Sequence, residues 1–167
     1  GAAFSVLATL RVARTGTGGG AVVSSPGGIT CGVDCAEALK YGTVVTVTST
    51  PATGSTFTGW SGACTGSGAC VVTMNGAKNV TATFTLNSYA LTTATAGTGS
   101  GTITLSPAGG TYSHGTVVTV TNTPAADSTF TGWSGACTGS GDCVVTMNGT
   151  KSVTATFSLD SLDGFAV

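Results

Sequence analysis

Alternation of apolar and polar residues along the chain predicts a succession of short β-strands. In one extended segment, Val80, Ala82 and Phe84 lie on one face and threonines lie on the other. This period of two residues is typical of a strand with one buried face. Gly, Pro and Asn residues between such segments predict turns. One of them, Met-Asn-Gly at residues 74–76, predicts a tight turn that folds the strand at residues 71–72 back onto the following strand.

The pattern occurs twice, with nearly the same residues in each copy. Residues 42–86 align with residues 115–159, and seven of the 45 aligned positions differ, so 38 are identical. Self-similarity at a fixed spacing indicates tandem copies of one module. We therefore expect a first module at residues 1–86, a second at residues 87–159, and a C-terminal tail at residues 160–167.

The two copies differ in the segment that precedes this shared text. Residues 29–41 of the first copy contain an insertion, because the second copy is eight residues shorter between its Ser-Pro and its Gly-Thr-Val-Val. We expect the insertion to be a surface excursion of the first module alone. Residues 36–40 within it predict a single helical turn.

The N-terminal residues predict an unusually apolar strand. One face carries Phe4, Val6, Ala8, Leu10 and Val12. Leu7 lies on the other face, so the strand is expected to be buried on both sides.

Composition favours an all-β, extracellular protein. Only 7% of the 167 residues are charged, 27 are glycine and six are cysteine, a composition that favours sheets and turns over helices and suits a disulfide-stapled secreted domain. Five Lys and Arg residues and a net charge of −1 provide no electrostatic footprint for nucleic acid. No apolar run is long enough to cross a membrane, so no membrane insertion is expected, and any secretion signal is expected to have been removed.

The repeat predicts how the cysteines pair. The second copy contains only Cys137 and Cys143, which must pair with each other or stay free. Its near-identity to the first copy predicts the same bridge between Cys64 and Cys70. A third bridge then joins the two cysteines of the insertion, Cys31 and Cys35. Zinc bound by the four cysteines of the first copy is disfavoured, because the second copy keeps the shared text with half of those ligands.

Other residues with functional potential are few. Trp60 and Trp133 occupy the same Gly-Trp-Ser-Gly context, where a buried core ring is the first interpretation and an exposed platform for stacking sugars is the alternative. His114 is the single histidine, and nothing in the sequence marks an orienting partner of the kind that nucleophilic catalysis requires. We expect it to be a solvated turn residue, and we expect no catalytic residue, metal site or cofactor.

The shared text resembles the divergent internalin-type B-repeat, a bacterial extracellular repeat domain. The likeness rests on Gly-Thr-Val-Val-Thr-Val-Thr at residues 42–48, Phe-Thr-Gly-Trp-Ser-Gly at residues 57–62 and Val-Thr-Ala-Thr-Phe at residues 80–84, with matching text in the second copy. The resemblance implies small, all-β, β-grasp-like modules in tandem. It also implies a non-enzymatic structural, spacer or adhesive role at the cell surface and offers no catalytic residues to transfer.

Two functional hypotheses follow. The first is a non-enzymatic extracellular structural or adhesive protein, a bacterial cell-surface or filament-forming subunit that assembles through its terminal strands into a polymer or with neighbouring repeats of a surface protein. The residues expected to take part in this assembly are Phe4, Val6, Leu7, Leu10, Phe165 and Val167. The alternative is a carbohydrate-binding module of a secreted hydrolase, with polysaccharide stacked on Trp60 and Trp133. A stacking platform requires both rings to be exposed, whereas a structural module requires them to be buried.

Overall fold

The fold consists of β-strands throughout the part of the chain that a computed structural model describes, residues 5–161. These residues form 15 strands and no helix, which confirms the predicted all-β class. The chain divides into two compact units, Gly1–Asn87 (unit 1) and Ser88–Val167 (unit 2).

Unit 1 is built from two sheets. Its strands are β1 (Leu7–Thr15), β2 (Gly20–Ser25), β3 (Thr30–Cys31), β4 (Ala36–Lys40), β5 (Val44–Pro51), β6 (Ser55–Gly62), β7 (Cys70–Thr73) and β8 (Lys78–Leu86). The first sheet has the order β4-β1-β8-β6, and the second has the order β3-β2-β5-β7. The central strands β1 and β8 are parallel to each other, and every other pair is antiparallel. The first and last strands of the unit therefore form the centre of its mixed sheet.

Unit 2 repeats this arrangement with one strand fewer. Its strands are β9 (Ser88–Gly97), β10 (Gly101–Ser106), β11 (Thr111–Ser113), β12 (Val117–Pro124), β13 (Ser128–Gly135), β14 (Cys143–Thr146) and β15 (Lys151–Leu159). The sheets have the orders β11-β9-β15-β13 and β10-β12-β14. Strand β9 is parallel to β15. Among its described residues, up to residue 161, unit 2 thus has a counterpart of every strand of unit 1 except β3.

Each unit has a core that the alternating pattern predicts. In unit 1, Val80, Ala82 and Phe84 of β8 are all buried, as are Val45 and Val47 of β5 in the other sheet. The side chains at alternate positions of two facing sheets meet in such a core. The corresponding residues of unit 2 are buried to the same extent, so the shared text specifies the core in both units.

The prediction for the turn at residues 74–76 is wrong in its consequence. The chain bends at residues 75–76, but β7 pairs with β5 and β8 pairs with β1 and β6. The bend therefore carries the chain from one sheet to the other. Met74 is fully buried at this crossing, which explains why an apolar residue precedes the bend.

The insertion in unit 1 also differs from the prediction. Residues 36–40 form strand β4, not a helical turn, because they pair in antiparallel fashion with β1 from Leu7 to Arg11. Strand β11 occupies the same place in unit 2. Ile29 is 1% exposed and Cys31 is 5% exposed, so this segment is not a surface excursion: it completes the core of unit 1.

A close approach of the backbone makes Gly16 irreplaceable, and we expect Gly16→Ala to destabilise unit 1. Gly16 has a φ of +100°, and a Cβ there would overlap the backbone carbonyl of Phe84. Gly42 has a φ of +85° with nothing within 4 Å of its Cβ position, so Gly42→Ala is the matched control. The control should cost about 1–2 kcal/mol for its left-handed backbone. Gly16→Ala should cost about 1–3 kcal/mol more because of the overlap.

Urea denaturation measures the free energy of unfolding of both variants. Equal midpoints for the two variants would contradict the close approach. The pair Gly97 and Gly115 provides the same comparison in unit 2, since their φ angles and surroundings match those of Gly16 and Gly42.

Candidate functional site

Trp60 is part of a closed loop in unit 1. A bulge between Phe57 and Gly59 shifts the register of β6 against β8 and directs the Trp60 side chain inward, where it is 6% exposed. The backbone N–H of Trp60 donates to the carbonyl of Gly66 at 2.7 Å, and its indole Nε1–H donates to the carbonyl of Gly68 at 3.0 Å. The ring also packs against Phe57, with 4.8 Å between centroids. Trp60 therefore holds the loop against the core.

Trp133 makes the same contacts in unit 2. It is 5% exposed, and its Nε1–H donates to the carbonyl of Gly141 at 3.1 Å. An indole has one donor and no acceptor, so neither tryptophan has a free polar group. A platform for stacking sugars needs exposed ring faces. The burial of both rings agrees with the first interpretation, a core ring, and provides no exposed faces for the alternative, the stacking of polysaccharide on Trp60 and Trp133.

All three predicted disulfides are present. Cys31 is bonded to Cys35, Cys64 to Cys70, and Cys137 to Cys143. The last two close the loops that the tryptophans hold, and the first closes the insertion of unit 1. A zinc site would require free thiolates, which disulfide-bonded sulfurs do not provide. Within residues 5–161, no group of three or more His, Cys, Asp or Glu side chains is placed to hold a metal ion.

The residues expected to take part in assembly lie in different environments. Val6 is 64% exposed and Leu7 is 58% exposed. Leu10 is fully buried in the core of unit 1, so its assignment to assembly is wrong. Phe4, Phe165 and Val167 lie outside the described residues.

Strand β1 is not an edge strand. It pairs with β4 on one side and with β8 on the other. The β4 register covers Leu7–Arg11 and the β8 register covers Leu10–Thr15, so β1 is paired on both sides at Leu10 and Arg11. The expectation that β1 is buried on both faces is wrong, because Leu7 is exposed whereas Ala8, Leu10 and Val12 are buried.

His114 lies in a turn, as expected, but it is partly buried rather than fully solvated. Its ring meets that of Tyr89 edge to face, with 6.0 Å between centroids, and its Nδ1 is buried with no hydrogen-bond partner among the described residues. A catalytic base needs a group that orients it. The described contacts of His114 are those of a packed side chain.

A cleft of about 440 Å³ in unit 1 is lined by one charged side chain. It is lined by Arg14, the glycine-rich turn after β1, and the Cys31–Cys35 disulfide. The guanidinium Nη1 of Arg14 donates to the carbonyl of Gly20 at 2.7 Å. Arg14 is thereby tied to its own turn, and neither carboxylate nor imidazole lines the cleft.

One contrast between the units was missed by sequence reasoning. The registers of β1 with β8 and of β9 with β15 make Val12 and Thr93 equivalent. Val12 is 5% exposed, whereas Thr93 is exposed. The shorter second copy is the sequence signal for this contrast. It lacks eight residues of the segment that covers the strand in unit 1, so the strand is left exposed in unit 2.

The comparisons with known proteins agree with this picture. Residues 11–88 and 91–161 each match the model of the divergent InlB B-repeat domain. No curated protein and no solved structure matches the chain significantly. No helix among residues 5–161 is long and apolar enough to cross a membrane.

Proposed function

The chain belongs to the divergent InlB B-repeat family, and from this membership we propose that it is a non-enzymatic structural repeat segment of a bacterial surface protein. Its role is to persist as a folded, disulfide-stapled element outside the cell. A fold by itself does not define a function, so the proposal depends on what the shared residues do.

The proposal rests on the structural positions of the residues that the two copies share. In both units, the shared side chains include those that form the core, the tryptophan loops and the local disulfides, while other shared side chains, such as Val71 and Val144, are exposed. The residues that differ at the aligned positions are small or polar, such as Ala69 and Asp142. A repeat selected for a chemical site would share reactive groups, and a repeat selected for its fold shares core residues.

The disulfides support an extracellular location. Each closes a loop with a sequence separation of four or six residues, and the chain-entropy estimate for such a loop is about 2 kcal/mol. Disulfides persist in oxidising compartments and are rare in the cytosol. Small modules gain most from such cross-links because their cores are limited.

Surface display tests this proposal. The chain is placed between a bacterial surface anchor and an epitope tag, and loss of the tag is followed during exposure to thermolysin. The wild-type chain should keep the tag, while Cys64→Ala combined with Cys70→Ala should speed its loss about thirtyfold, because 2 kcal/mol changes the unfolded population by that factor. Val71→Thr, at a site that is 53% exposed, is the control and should behave as wild type.

Rapid cleavage of the wild-type chain would argue against a durable extracellular element. Turnover of an ester or glycoside substrate that disappears on His114→Ala would argue against a non-enzymatic role.

Self-association is a second candidate role, favoured by the exposed apolar side chains of Val6 and Leu7. Exposed apolar surface favours contact with another protein surface. We expect Val6→Ser combined with Leu7→Ser to abolish any concentration-dependent increase in sedimentation coefficient. An oligomer that persists in this variant would remove Val6 and Leu7 from the interface.

A further inference from the structure

Unit 1 contains a segment that shows how the edge of its second sheet is covered. Strand β3 pairs with β2, with Cys31 opposite Val22. The backbone N–H of Ser24 donates to the carbonyl of Ile29 at 3.2 Å. Through these contacts Ile29 and Cys31 are buried at 1% and 5% exposure. The edge of β2 is thus paired, and the core beneath it is closed.

Among residues 88–161 of unit 2, no strand covers the corresponding edge. Within residues 5–161, β10 pairs with β12 alone and is the terminal strand of its sheet. The Ser-Pro that follows each strand makes Ile103 the counterpart of Val22 and Leu105 the counterpart of Ser24. Val22 is fully buried, but Ile103 and Leu105 are only partly buried. We call this uncovered edge, formed by Gly101–Ser106 of β10, the β10 edge.

The β10 edge also lacks the features that usually protect an exposed edge. Natural edge strands carry charged residues, prolines or bulges that discourage pairing. No charged residue occurs from residue 79 to residue 126, and the first proline after β10 is Pro107, beyond the strand. The inward position next to the edge is the polar Ser24 in unit 1 and the apolar Leu105 in unit 2. The β10 edge therefore has unpaired backbone, partly exposed apolar side chains and no charge to repel a partner.

Tyr112 compensates for part of what unit 2 lacks. It occupies the place of Leu39, is 7% exposed, and its hydroxyl donates to the carbonyl of Pro107 at 2.8 Å. The larger ring fills volume near the end of β10. It provides no backbone groups to β10 and leaves Ile103 partly exposed, so the edge stays open.

We propose that the β10 edge is a docking site for an extended segment of another polypeptide, which adds to the sheet as an antiparallel strand. Unit 1 defines the chemistry of the segment: an aliphatic side chain opposite Leu105, as Ile29 lies opposite Ser24, and a small apolar side chain opposite Ile103, as Cys31 lies opposite Val22. Strand addition of this type takes its affinity from backbone hydrogen bonds and its specificity from alternate side chains. The segment also covers Thr93. In unit 1, the equivalent residue Val12 is covered by Cys35, whose carbonyl accepts a hydrogen bond from the backbone N–H of Val12 at 2.8 Å.

A peptide with the sequence of residues 27–36, oxidised to form its disulfide, is the probe for this site. Added to the full chain, it should cause saturable shifts of the backbone amide resonances of Ile103, Leu105 and Thr93. The amides of Val22 and Val23 in β2 should not shift, because that edge is already paired, so unit 1 serves as the control within the same molecule. The same peptide with Ile29→Asp should bind at least tenfold more weakly.

A grafted variant provides the second measurement. Residues 27–37 of unit 1 replace residues 108–110 of unit 2, which adds the eight missing residues and keeps the register of β11, so that the β10 edge is covered from within the chain. This variant should no longer bind the peptide, and its unit 2 should unfold at a higher urea concentration.

Three results would overturn the proposal. One is the absence of shifts at millimolar peptide, another is equal shifts in β2 and β10, and the third is undiminished binding by the grafted variant. A dimer of the chain alone that protects the Ile103 amide from hydrogen exchange would assign the edge to a second copy and would also overturn it.

Discussion

Phe84→Ala should abolish the stable folding of unit 1, and Phe157→Ala should do the same for unit 2. Both rings are fully buried at the centres of their cores, and truncation of a buried phenylalanine costs about 3–5 kcal/mol. A module of this size has a total stability near the lower end of 5–15 kcal/mol. The loss is therefore comparable to the whole free energy of unfolding of the unit.

Urea denaturation followed by circular dichroism measures this effect. Val71→Ala is the control, because Val71 is 53% exposed and its truncation should change the free energy of unfolding by less than about 0.5 kcal/mol. If Phe84→Ala were no more destabilising than this control, the assigned core of unit 1 would be incorrect.

Trp60→Ala should destabilise unit 1 by about 3–5 kcal/mol, because it removes a large buried ring. It also leaves the carbonyl of Gly68 without the indole donor and removes the packing of Phe57. Trp60→Phe keeps a smaller aromatic ring, and it loses the hydrogen bond, which should cost about 1–2 kcal/mol, together with part of the buried ring. The Phe variant should therefore lie between wild type and the Ala variant in stability.

The same two variants decide between a structural and a binding role for the tryptophan. Urea midpoints report stability, and affinity chromatography on insoluble polysaccharides reports binding. A Trp60→Ala variant with unchanged stability and lost polysaccharide binding would restore the platform hypothesis. Trp133→Ala makes the same comparison in unit 2.

Local patterns predicted the strands of the shared text well. The alternation around Val80, Ala82 and Phe84 corresponds to β8, and its burial follows the predicted face. The disulfide pairing was also predictable, because the second copy offers only two cysteines. Both inferences use information within a single segment or between identical segments.

Long-range pairing was not predictable from these patterns. A period of two residues shows that β1 is a strand, but it does not show that the strand lies between β4 and β8. Residues 36–40 have a local preference for helix. Their antiparallel pairing with β1 overrides this preference. The sequence predicts the bend at residues 75–76, but it does not predict which sheet the following strand joins. That choice depends on the pairing of β7 with β5, a strand distant in sequence.

The position of the assembly residues illustrates the same limit. Leu7 and Leu10 are both leucines of one strand, but one is 58% exposed and the other is fully buried. Their difference follows from the face of β1 that meets the second sheet. The sequence pattern predicts burial on both faces because Leu7 is apolar and lies on the opposite face. Single exposed apolar side chains are common on protein surfaces, however.

We propose that this chain functions through the durability of its fold and not through a chemical site on its surface. Epitope retention in the surface-display assay, measured across a set of variants and compared with the free energy of unfolding of each, tests it most directly. The set combines core changes (Phe84→Ala, Trp60→Ala), disulfide changes (Cys64→Ala with Cys70→Ala) and surface changes (Val71→Thr, Thr48→Ser, Val44→Thr). Retention should fall in step with stability and should be unaffected by the surface changes. A surface variant with wild-type stability that loses the epitope faster than the wild-type chain would contradict this proposal.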